Sequence, residues 1–186
     1  TIMMGWPKGL ENSVEYSEMT QTLLHLDYNL LYLDFDRKAK FGNYKTVDLW
    51  WRETDSKNAE MMLNIARFII ASPRWDNPHI RVLFVNNNNR DVQLVRSKIE
   101  RLVTDLRVVN VSIVIINNAV EQKPFYDIIE ENSEKTDLTL VGIPNYRIEK
   151  QAEFVLRTNH LFESIGSTLL VKAANNFNEL ELDLSK

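Results

Sequence analysis

The chain has 186 residues, of which 44% are hydrophobic and 26% charged, an ordinary composition for one soluble globular domain able to bury a core of its own. A net charge of −4 argues against a nucleic-acid or anionic-membrane surface, and the absence of cysteine excludes disulfides, thiol catalysis and Cys-based metal sites. The longest apolar runs are strand-length, well short of the roughly 20 residues a membrane-spanning helix needs.

In chain order, Thr1–Trp6 reads as a strand closed by Pro7 and Gly9. A strand that starts at the first residue suggests a piece of a longer protein. Asn12-Ser-Val-Glu15 resembles a capping box, and the helix it opens is expected to bury Tyr16, Met19, Leu23 and Leu26. Leu31, Leu33 and Phe35 alternate with Tyr32, Asp34 and Asp36, the pattern of a half-exposed strand with its acidic side in solvent. After Gly42-Asn43 the chain can turn back, so this strand is expected beside Thr46–Trp51, antiparallel, or at a sheet edge.

Thr46–Trp51 is β-branched and aromatic, and it places one indole on each sheet face. The next helix carries Ala59, Met62, Leu63, Ala66 and Ile70, with Met61, Ile65, Phe68 and Ile69 widening the stripe until little would face water. Pro73 stops it, and Ile80–Val85 is an apolar run of the kind a parallel sheet buries on both faces. The alternation then repeats. Asp91 caps a helix whose apolar side is Val92, Val95, Ile99, Leu102 and Leu106, followed by a strand at Val111–Ile116. Pro124 opens a short helix, Leu138–Ile143 is a strand, and a helix over about Glu153–Ile165 ends at Gly166, in the C′ role, before a strand at Thr168–Val171. The Asn-rich, acidic tail from Ala174 is expected to fray.

From residue 45 onward this is β-α-β-α-β-α-β-α-β: an α/β fold with a doubly wound, mostly parallel sheet and helices on both faces. Residues 1–44 form an N-terminal β-α-β extension, 45–173 the doubly wound core, and 174–186 the tail of one domain. In such sheets a ligand sits beyond the carboxyl ends of the strands. That rim nominates Asp55, Asn86, Asn87, Asn117, Gly142 and Asn145 as ligand-facing residues. Trp6, Trp50 and Trp51 are either core or anchors of an interface.

Chemistry is sparse. No P-loop, G-x-G-x-x-G or G-x-S-x-G pattern occurs, and only five glycines are available for a phosphate cradle. His25, His79 and His160 lack metal-binding spacing, and no nucleophile–base pair is visible. Asp34 with Asp36 offers a metal pair, though a solvated strand face is the stronger reading. Neither cofactor, metal nor catalysis is therefore expected.

Three stretches resemble the cytosolic C-terminal domain of cation–chloride cotransporters, the sodium–potassium–chloride and potassium–chloride family. They are Met3-Met-Gly-Trp-Pro7, Thr46-Val-Asp-Leu-Trp-Trp51, and Leu138-Thr-Leu-Val-Gly-Ile-Pro144 followed by Ser167–Val171, in the family's order and spacing. The resemblance implies a homodimerising, regulatory domain on the cytoplasmic side of the cell membrane, attached to a transmembrane part of its own chain and not itself inserted. Only about twenty residues, Asn117 to Asp137, stand where animal members carry a long phosphorylatable insertion, so a compact, prokaryotic-type member is implied. The strand order also resembles universal stress proteins, many of which bind ATP. Their G-x-x-G signature is broken here, because Asn145 stands where the second glycine would follow Gly142.

Overall fold

Strand β3 (Thr46–Trp51) sits near the middle of the sheet because both of its faces are apolar: Val47 and Leu49 enter one core, Trp50 the other. The computed structural model describes residues 1–7, 9, 13–52, 56–144 and 151–177, and among these one seven-stranded sheet carries five helices. From β3 the chain runs through α2 (Ser56–Ile70) to β4 (His79–Asn86), then through α3 (Val92–Asp105) to β5 (Val111–Asn117), stepping outward on one side. It returns through α4 (Phe125–Ser133) to β6 (Leu138–Gly142) on the other side of β3, then through α5 (Gln151–Ser164) to β7 (Thr168–Lys172). These strands are mutually parallel, so the expected doubly wound core is present.

The N-terminal segment completes the sheet, and here the structure corrects the expectation. β2 (Leu30–Asp34) pairs antiparallel with β7, far from β3, and β1 (Ile2–Gly5) pairs parallel with β2 to form the edge. The loop between β2 and β3 makes no hairpin because Asp137, just before β6, gathers it. The Asp137 carboxylate accepts from the backbone N–H groups of Asn43 (2.9 Å), Lys45 (2.8 Å) and Thr46 (2.9 Å), and this delivers the chain to β3 beside β6. Gly42 lies at φ +49°, and a Cβ there would collide with the same carboxylate. Partial burial works against ionisation of Asp137, but these donors outweigh it and hold its pKa below the ordinary value.

With neighbours on both sides, β2 is not a half-exposed strand. Leu30 and Tyr32 enter one core while Leu31 and Leu33 pack on the other, and Asp34 is buried. Asp36 instead closes a turn, its Oδ1 accepting from Lys38 N–H (2.7 Å) and Ala39 N–H (3.1 Å). The two carboxylates therefore do not share a solvated face or form a metal pair.

Side chains alternate between two cores. α2 and α3 cover Val47, Leu49, Ile80, Val82, Phe84, Leu140 and Val171; α1 (Ser13–His25), α4 and α5 cover Tyr32, Trp50, Leu83, Val141 and Leu170. On α2 the buried stripe is Ala59, Met62, Leu63 and Ala66, and Phe68, about 180° round the helix from Ala59, is 69% exposed, so the helix does present an outer face. On α1 Met19 is exposed, as is Leu26 just beyond the helix, while Leu23 packs partly buried on the core as expected; the fully buried positions are Tyr16 and Thr20, whose Oγ1 is 2.7 Å from the Tyr32 hydroxyl. On α3 Val92 is likewise exposed. Asp91 caps α3 as expected, accepting from Gln93 and Leu94 N–H. Pro124 occupies the N-cap of α4, one place before the first helical turn. Gly166 is not left-handed: its role is room, since a Cβ would lie 3.2 Å from the Thr136 carbonyl oxygen. The chain after β7 is tied down through Phe177, with Ala174 N–H donating to Asn29 Oδ1 (2.8 Å) and Phe177 packed on the α2 side.

Candidate functional site

The carboxyl ends of β3 and β6 are the topological switch point, since the chain leaves β3 to one side and returns to the other. Asp55 and Asn145 lie outside the described residues. The remaining rim residues are mostly engaged with their own backbone. Asn86 is buried, accepting from Arg90 N–H (3.0 Å) and donating to the Arg90 carbonyl (2.9 Å). Asn87 Oδ1 accepts from Asn118 Nδ2 (2.7 Å), and Asn117 Oδ1 accepts from Ala119 N–H (3.1 Å). Asn118 also bridges to Lys123 through both ends of its amide. These asparagines thus form one clasp joining the loops after β4 and β5.

Gly142 stands apart from that clasp, at the end of β6. Its missing side chain makes room for Asn58 of α2, whose Nδ2 would lie 3.2 Å from a Cβ there. The buried Asn58 amide donates to the Ile143 carbonyl (3.0 Å) and accepts from Ala173 N–H (2.7 Å), fastening α2 across the ends of β6 and β7. Space beside Gly142 is therefore already filled from within the chain.

The three tryptophans separate. Trp50 and Trp6 are buried in the same core, so neither is available to a partner surface, and interface anchoring by these two is ruled out by their burial. Trp6 Nε1 donates to Asn159 Oδ1 of α5 (2.7 Å), and its ring meets Tyr16, Tyr32, Phe154 and Phe162 edge-on. Trp51 points to the opposite face and is half-buried. There it lines a cleft of about 480 Å³ with Phe84, Leu94, Val95 and Ile99, flanked by Arg90 and Lys98.

A second concavity, about 270 Å³, lies on the other face of the switch point. Arg52, directly after β3, places its guanidinium 3.9 Å from the centre of the Phe125 ring. Arg157 of α5 shares this hollow and is paired with Glu153 (2.7 Å). Burial pushes the Tyr126 phenol beside them above its ordinary pKa, against the opposing pull of the Arg52 charge and the hydrogen bond to Thr158. A third hollow, about 310 Å³, is lined by Thr20, Gln21, His25 and Asn175 and holds Lys172, which is only 7% exposed and donates to the Ile143 carbonyl (3.4 Å). Arg52 lies in the rim stretch expected from the sequence but is not singled out there, and sequence reading missed Arg157 and Lys172. Arg52 carries the one legible signal: a cation directly after a buried strand, at the rim.

The most developed polar cluster lies away from the rim, nearer the amino ends of β3 and β4. Asp48 is 0% exposed, and its carboxylate accepts from Arg81 Nε (2.7 Å) and Nη2 (2.6 Å), from Ser133 Oγ (2.6 Å) and from Thr136 Oγ1 (2.7 Å). Arg81 also donates to the Asn132 carbonyl (2.9 Å), and Trp50 Nε1 to Ser133 Oγ (2.9 Å). The cluster locks α4 onto the sheet. Its carboxylate accepts from four donors and is wholly buried, which suits a structural ion pair and gives a substrate no access to it. Among the described residues no group of three or more His, Asp or Glu side chains converges as a metal site, and no helix is long and apolar enough to cross a membrane.

The sheet order 1-2-7-6-3-4-5, with helices on both faces, now allows comparison with solved structures. The fold matches a transporter's cytoplasmic domain. The crystal structure of the cytoplasmic domain of a prokaryotic cation chloride cotransporter superposes with a TM-score of 0.71 at 15% identity, over 95% of this chain and 64% of that one. A universal stress protein from Archaeoglobus fulgidus DSM 4304 superposes with a TM-score of 0.63 at 13% identity, over 95% of this chain and 62% of that one. The chain therefore spans less than two thirds of either relative. No protein-family pattern matches it, and no curated protein does.

Proposed function

We propose that this chain is a non-catalytic cytosolic regulatory and dimerisation module of a secondary-active cation–chloride cotransporter, held on the cytoplasmic side of the cell membrane by a transmembrane part of the same protein. The observation that carries the reading is the superposition at a TM-score of 0.71 over 95% of the chain on a cytoplasmic domain of such a transporter. The motif residues are consistent with it. Trp6, Asp48 and Trp50 are all buried and join elements of the chain to one another, so these residues hold the fold that the superposition matches. The test is deletion of this segment from its full-length gene, followed by chloride-dependent cation uptake in cells and sizing of the solubilised transporter. Altered regulation or assembly supports the reading; unchanged uptake together with unchanged assembly sinks it.

A nucleotide-sensing role is the alternative, favoured by the hollow at the switch point where Arg52 and Arg157 stand over Phe125 and Tyr126. The filled space beside Gly142 weighs against it, since a triphosphate needs backbone N–H groups left open to it. Titration calorimetry with ATP and AMP separates the two readings, and absence of heat at millimolar nucleotide removes this one.

A further inference from the structure

Among the described residues, strand β5 is the last of the sheet and pairs on one side only, with β4. At its two ends the Asn110 carbonyl accepts from Ile80 N–H (3.0 Å) and Asn118 N–H donates to the Asn86 carbonyl (3.0 Å). Backbone groups alternate in direction along a strand, so the even-numbered residues address β4. Val111, Ile113 and Ile115 turn their N–H and C=O groups outward. This edge, Val-Ser-Ile-Val-Ile-Ile-Asn, has no charge, proline, glycine or bulge, the devices that normally blunt an open strand. Among the described residues its guard is Arg96 of α3, whose Nη1 reaches the outward Ile113 carbonyl at 3.4 Å. Exposed valines bracket the strand: Val109 before it, 59% exposed, and Val120 after it, 91% exposed.

We propose that β5 is the dimerisation edge, and that its occupant is a second copy of this chain, paired antiparallel about a two-fold axis at Ile113 to make one sheet across both molecules. The inference deepens the dimerisation part of the proposed function and rests on that part alone. That axis sets Ile113 opposite its counterpart and Val111 opposite Ile115, giving about six N–H···O bonds. The same rotation carries the stretch holding Arg107 and Val109 towards the other copy's stretch holding Val120 and Glu121, at both ends. Apolar surface then approaches apolar surface, and cation approaches anion. An uncharged strand meets no repulsion from itself, and a two-fold contact closes at the dimer. The opposite edge, β1, is only four residues long and offers a poorer template.

Sedimentation of the 186-residue chain from micromolar to high concentration tests this, with three variants. Ile113→Pro removes an N–H that the β4 ladder does not use, and should weaken dimerisation at least tenfold with the far-UV spectrum retained. Arg96→Ala removes the guard and should tighten it. Because the chain lacks cysteine, I113C should crosslink to itself on mild oxidation: an opposed pair in an antiparallel ladder has Cα atoms about 5.5 Å apart, within disulfide reach. F68C, on the outer face of α2, should not. A dimer that survives I113P, or I113C crosslinking no faster than F68C, overturns the assignment and leaves dimerisation itself standing. A chain monomeric at every concentration overturns both the assignment and the dimerisation part of the proposed function, and leaves the transport assay to judge the rest.

Discussion

Arg81 on β4 grips both carboxylate oxygens of Asp48 on β3, at 2.7 and 2.6 Å, from the register position directly beside it. The geometry is the bidentate fork that suits guanidinium and carboxylate, and it lies on the face covered by α4. Ser133 and Thr136 of the α4 region add hydroxyl donors to the same carboxylate, so the ion pair joins two strands and a helix.

Removing Arg81 leaves Asp48 charged and enclosed, whereas removing Asp48 leaves Arg81 with its side chain 31% exposed. Arg81→Ala should therefore cost about 3 kcal/mol or more, and Asp48→Ala less, because water reaches the guanidinium left behind. Replacing both by leucine should cost less than the sum of the single changes by about 2 kcal/mol, since no orphaned charge remains. Urea denaturation of the three variants measures this. Simple additivity would show that the pair is not a coupled lock.

That pair also marks the limit of what the sequence discloses. Asp48 and Arg81 are each the single Asp, Glu, Lys or Arg of their strand, a coincidence visible in the sequence, but their meeting depends on parallel register that only the folded sheet fixes. The strand–helix alternation from Thr46 to Lys172 was legible because both faces of each central strand are apolar and their lengths suit strands. β2 was misread for a related reason. Its polar positions, Tyr32 and Asp34, are covered by α1 and by neighbouring strands, and alternation cannot distinguish a wet face from one that a later element covers. At the rim, Asn86 and Asn117 were found, but their bonds to backbone two to four residues on could not be separated from ligand-binding capacity without coordinates.

Asp137 organises the turn into β3, and its ionised form does so. Its pKa is lowered from the ordinary 3.8 because the turn's N–H groups favour the carboxylate more than burial opposes it. A depressed carboxylate pKa contributes stability that is present above the unfolded value and lost as pH falls through the folded one. Asp137→Asn should destabilise the chain by about 1–3 kcal/mol at neutral pH, and the gap to the parent should close below about pH 4. Thermal melts from pH 7 to pH 2 check both; a gap that stays constant down to pH 2 contradicts the ionic account.

Gly142 is required for the Asn58 side chain and not for an unusual backbone, since its φ is not left-handed. Gly142→Ala should push Asn58 off the Ile143 carbonyl and Ala173 N–H, at a cost of about 1–3 kcal/mol. With Asn58→Ala already in place the same change should cost markedly less. If the two penalties simply add, the contact between them is not the cause.

Trp6 decides whether the N-terminal segment is an integral part of the sheet or an appendage. Its indole is buried among Tyr16, Tyr32, Phe154 and Phe162, which come from α1, β2 and α5, and its N–H donates to Asn159. One side chain thus bridges the extension to the last helix of the core. Trp6→Phe keeps most of the ring but removes the donor, and should cost about 1 kcal/mol. Trp6→Ala opens a cavity in the aromatic cluster and should cost about 3–5 kcal/mol. If the extension and core melt as one unit, the larger loss should appear in the global transition, followed through Trp50 fluorescence on the same face. Hydrogen exchange then separates the alternatives. In Trp6→Ala, protection should fall in β7 as well as in β1 and β2, because β2 is hydrogen-bonded along β7. Loss confined to β1 and β2, with β7 protected as in the parent, would show that the extension is an independent flap.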